Sequence, residues 1–89
     1  MISKRELDIK KFTLEHGDTI EVCWCDAAGP NSKINLNSTA IFVRQPNKDW
    51  FKVESTKSFK TASYWINDCK DWSDVVQTLW IDLQKPYGE

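Results

Sequence analysis

Glycine and proline are scarce in this chain, three of each among 89 residues. So few glycines leave little material for a phosphate-cradling loop, and no Pro/Gly-rich linker or low-complexity stretch divides the sequence. Histidine occurs once, and neither H-E-x-x-H nor a nucleophile elbow is present, so the usual kits for metal-dependent or nucleophilic hydrolysis are missing. No run approaches the roughly 18 apolar residues of a membrane span, and the N-terminus Met1-Ile2-Ser3-Lys4-Arg5-Glu6 lacks the apolar core of an export signal. The three cysteines are an odd number, unlike the even sets of secreted disulfide scaffolds. A cytoplasmic protein with reduced thiols is expected.

Charge of one sign is also lacking. Twelve basic residues face thirteen acidic ones, with a net charge of −1, so no global field draws the protein to nucleic acid or anionic lipid. The distribution is less even. Between Arg44 and Lys60 five basic residues face Asp49 and Glu54, whereas between Asp68 and Glu89 five acids face Lys70 and Lys85.

What the chain does have is aromatic and apolar side chain: five Trp, four Phe and two Tyr, within 40% hydrophobic residues. Each large aromatic buries on the order of 150–250 Å², enough for a single core at this length. One domain spanning residues 1–89 is expected.

The first half reads in period two. Ile20, Val22 and Trp24 alternate with Glu21, Cys23 and Cys25, which predicts a strand. Ile9 to Glu15 pairs with it across a His16-Gly17-Asp18 turn; a short N-terminal helix opened by Ser3, with Glu6 at capping-box spacing, is the alternative. Residues 27–32 read as a loop, and Ile34 and Leu36 resume the alternation. Ala40-Ile41-Phe42-Val43 is a continuous apolar run, the pattern of a central strand buried on both faces. Gln45 to Asp49 forms a turn, and Trp50 to Glu54 returns as a strand with Phe51 and Val53 on one face and Trp50, Lys52 and Glu54 on the other.

The period then becomes helical. Phe59, Ala62, Ile66 and Cys69 define a first helix over roughly residues 61–68. Trp72, Val76, Leu79, Trp80 and Leu83 form the stripe of a second, capped by Asp71 or Ser73 and ended by Pro86. The fold class is therefore α+β: an antiparallel, meander-like sheet of about four strands followed by two C-terminal helices packed on one face.

The chemical constellations are thin. Cys23 and Cys25 point to one strand face and, with Cys69 or His16, resemble the start of a soft-metal site. However, structural zinc sites present paired ligands in turns, so small buried cysteines are the better reading and no metal or cofactor is expected. Cys25 with His16 is the nearest approach to a catalytic pair, and it lacks every supporting motif.

The remaining signal is surface. Trp50, flanked by Lys52 and Glu54 and entered through a polar turn, is the tryptophan the core does not need, and exposed Trp marks partner contacts. Partner-binding residues are accordingly expected at Trp50, Arg44, Lys48 and Lys52, with Asp71 and Asp74 on the acidic helical face. The function expected is a non-enzymatic protein-binding module, an accessory factor or inhibitor acting on a larger intracellular protein. Its size also suits a phage or mobile-element product, although no residue shows that origin. The alternative is a nucleic-acid-binding domain that uses the basic, aromatic strip 44–60, disfavoured by the overall charge. An exposed edge strand is compatible with either a monomer or a homodimer.

Overall fold

A computed structural model describes residues 8–26 and 39–87. Four strands, β1 (Asp8–Thr13), β2 (Thr19–Asp26), β3 (Thr39–Arg44) and β4 (Phe51–Val53), precede two helices, α1 (Phe59–Asn67) and α2 (Trp72–Leu79). The sheet is an antiparallel meander in the order β1-β2-β3-β4, and the fold class is α+β as the periodicity predicts.

The first hairpin closes as expected. Leu14 N donates to Asp18 O at 2.8 Å and Gly17 N to Leu14 O at 2.9 Å. Gly17 takes φ +95°, a conformation that costs glycine nothing. The turn between β3 and β4 places Asn47 at φ 63°, which asparagine tolerates better than most residues.

The register sets two faces. Ile20 and Val22 of β2, Ile41 and Val43 of β3 and Val53 of β4 join Phe12, Leu14, Ala62, Ile66, Cys69, Val75, Leu79 and Ile81 in one buried cluster. The helices therefore cover this face of the sheet. The opposite parity, Cys23, Cys25, Ala40, Phe42 and Trp50, forms a second buried cluster against which Tyr87 packs. All four residues of the Ala40–Val43 run are buried, which bears out burial on both faces.

Capping explains where the helices begin. Ser58 precedes α1, and its hydroxyl accepts from Thr61 N at 3.2 Å, so the helix starts two residues before the expected boundary. Asp71 opens α2 by accepting from Asp74 N at 3.1 Å, while Asp74 accepts from Lys70 N at 3.0 Å. Asp18, in the first hairpin turn, accepts from Trp72 N at 3.0 Å. His16 N bonds to Lys70 O at 2.8 Å, and its Nδ1 lies 3.4 Å from Asp71 Oδ2. The hairpin turn is thus fastened to the link between the helices.

Three expectations are corrected. The second helix does not run to Pro86 but ends at Leu79. Trp80 and Leu83, assigned to its core stripe, are 80% and 51% exposed; the stripe consists of buried Val75 and Leu79, with Trp72 and Val76 half-buried. Trp50, expected on a wet surface, is 4% exposed. The expected N-terminal helix, the loop 27–32 and the strand through Ile34 and Leu36 lie outside the described residues.

Candidate protein-docking surface

Trp50 is buried because its strand neighbours do not decide its environment; its neighbours across the sheet do. It shares a face with Phe42, and the chain returns after α2 so that Tyr87 N donates to Trp50 O at 2.7 Å, forming an isolated antiparallel bridge. The Tyr87 ring packs on Phe42 with centroids 4.7 Å apart. Arg44 lies over the Trp50 ring at 4.3 Å while its Nε donates to Glu21 Oε1 at 2.7 Å. Glu21 is only 8% exposed, and a charge-assisted bond of this kind offsets the desolvation of both groups. Arg44 and Trp50 are therefore occupied in the second core.

The other expected site residues separate in space. Lys48 is exposed in the β3–β4 turn and Lys52 is half-buried on β4. Phe51 and Phe59 turn to the helical side, Phe51 against Trp72 at 6.2 Å and Phe59 against Trp24 at 6.2 Å. The basic strip consequently carries no open aromatic face between its lysines. Asp71 and Asp74 both hold the first turn of α2, so their carboxylates already serve backbone donors.

The cysteines are buried thiols, none in a disulfide. Burial pushes the Cys69 thiol above its ordinary value of 9.0; the hydrogen bond with Thr78 opposes this in part, and the charges of Asp74, Asp68 and Asp71 reinforce it. Its Sγ donates to Trp65 O at 3.2 Å. Among the described residues no group of three or more His, Cys, Asp or Glu side chains is placed to hold a metal ion.

The most exposed tryptophan lies elsewhere: Trp80 is 80% exposed, against 41% for Trp24. Trp80 follows the last residue of α2 with φ 58° and ψ 47°, the left-handed conformation. Its amide bonds back to Gln77 O at 3.4 Å, and Ile81 N bonds to Val76 O at 2.9 Å. This pair of reversed bonds is the Schellman helix stop, in which the left-handed position is ordinarily glycine. A side chain there costs roughly 1 kcal/mol, and a bulky aromatic is a clear outlier. Ile81 turns into the main core beside Val76, and Ser55 Oγ donates to Leu79 O at 2.9 Å. The same turn leaves the indole in solvent.

The outward positions of α2 are Ser73, Gln77 and Thr78, all exposed and uncharged, and they lead to Trp80 and then Leu83. The outward residues of α2 are thus uncharged and end in an exposed aromatic, an arrangement found at interface centres, and charge returns beyond it at exposed Asp82 and Lys85. Helical extrapolation hid it. Nothing at position 80 announces a helix stop, and only the arrangement Trp80-Ile81, with the core needing Ile81, carries a signal for the turn.

No family model, no characterised protein and no solved structure matches this chain.

Proposed function

We propose that this chain is a non-enzymatic protein-binding module, an accessory factor or inhibitor, that docks on a larger protein through Trp80 at the C-terminal tip of α2. The observation that carries the reading is a tryptophan that is 80% exposed in a left-handed backbone position. The fold gains little from the ring and is strained by the residue, so neither packing nor backbone geometry accounts for it. Strain of this kind collects at functional sites. Tryptophan is also the side chain most enriched among residues that dominate binding energy. The outward residues of α2, Ser73, Gln77 and Thr78, include no cation, which favours a protein partner over a phosphate backbone. The non-enzymatic part of the reading is supported by buried thiols and by a His16 engaged with the helix link.

The test is capture of partners from cells of the native source by wild type and Trp80→Gly. Glycine suits the backbone position, so the variant should fold. Loss of a hot-spot anchor weakens binding by about 2 kcal/mol or more, roughly 30-fold, and the captured protein should disappear from the variant's eluate. Equal recovery by both proteins would show that Trp80 is not the anchor.

A further inference from the structure

We infer that the group seated on Trp80 is the guanidinium of an arginine on the partner protein; this rests on the docking reading above and specifies its chemistry. Three features of the tip converge on a planar cation.

The first is the ring itself. An indole face attracts cations more strongly than any other side-chain ring. The chain uses this attraction internally, where Arg44 lies over Trp50 at 4.3 Å and donates sideways to Glu21. Trp50 has its cation from within the chain. Among the described residues no cation lies over Trp80.

The second is the helix end. The C-terminus of α2 carries the negative pole of the helix, which basic residues in the last turn ordinarily complement; here that turn holds none. Val76 and Gln77 carbonyls are taken by the reversed bonds and the Leu79 carbonyl by Ser55. Among the described residues no donor meets the Thr78 carbonyl.

The third is Asp82, two residues beyond the indole. One of its oxygens accepts from Gln84 N at 3.0 Å, which leaves the other for a partner. Lys85 stands in the same turn, its amide 3.1 Å from Asp82 O, but no ion pair joins the two side chains. At the tip Asp82 and Lys85 balance in formal charge, and Asp71 and Asp74 lie at the opposite end of α2; the open Asp82 oxygen and the helix pole are what favour a cation. An arginine fits better than a lysine because its flat fork stacks and donates in-plane together, whereas an ammonium is a compact, strongly hydrated point charge.

The experiment is an amide and indole NMR titration of the whole chain with an acetylated, amidated Gly-Arg-Gly-Arg-Gly peptide. Parallel titrations use peptides with lysine or glutamine in place of arginine. The Trp80 indole resonance is the one lost in Trp80→Gly. Expected is a shift of that resonance and of the 79–83 amides with the arginine peptide, about tenfold weaker with glutamine, intermediate with lysine and absent in Trp80→Gly. Equal responses to the arginine and glutamine peptides, no response at millimolar arginine peptide, or an unchanged response in Trp80→Gly would each overturn the assignment. The two readings fail separately. If capture depends on Trp80 but the peptides do not discriminate, the arginine seat is wrong and the docking anchor stands; if capture ignores Trp80, the anchor itself is wrong.

Discussion

Trp50 and Trp80 are the same side chain under opposite constraints, and substitution should separate them. Trp50 is packed with Phe42, bridged by Tyr87 and covered by Arg44, so Trp50→Ala leaves a cavity and removes the ring beneath the Arg44 guanidinium. A loss of about 3–5 kcal/mol is expected in denaturant unfolding. Trp80→Gly should do the reverse, holding or raising stability by about 1 kcal/mol through relief of the left-handed backbone. Variants that destabilise equally would mean that the indole of Trp80 is packed after all. Cys69 provides a pH signature. Its folded-state pKa lies above the ordinary value, chiefly through burial, so the neutral thiol is the form the fold favours. The stabilisation it contributes is complete below the unfolded thiol's pKa and is lost as pH rises through the folded one. The stability gap between wild type and Cys69→Ala should therefore narrow as unfolding curves are taken from neutral pH to beyond pH 9.

At the scale of elements, the hairpin and the helix link explain each other. Asp71 and Asp74 cap α2, Asp18 reaches across from the first turn, and His16 lies beside Asp71. Asp71→Ala should cost about 1 kcal/mol, and it should couple to Asp18→Ala in a double-mutant cycle because both serve the same first turn. Additive losses would mean that the hairpin and helix caps act independently. Much of this architecture was legible beforehand. Alternation at 20–25, the Gly17 turn, the doubly buried run at Ala40–Val43 and the change to helical period each follow from local chemistry. The end of α2 was not legible, because a helix stop built on tryptophan presents neither glycine nor proline. The burial of Trp50 was hidden for a different reason. Strand parity placed it opposite Phe51 and Val53 correctly, but Lys52 and Glu54 along the strand say little about a face that Phe42 and Tyr87 close from elsewhere in the sequence.

For the whole molecule, the consequence is that function moves from the sheet to the helix tip. The sheet has a core on each face, its basic residues are dispersed, and the acids expected to meet a partner are engaged in capping. Among the described residues no helix is long and apolar enough to cross a membrane. The tip of α2 remains, with an exposed, strained indole at the end of an uncharged helical face. The most direct test is the dissociation constant of the captured, purified partner for wild type and for Trp80→Gly, with both proteins shown to be folded. The proposal predicts about 30-fold or greater weakening in a variant at least as stable as wild type. An unchanged constant in a folded Trp80→Gly protein would contradict it.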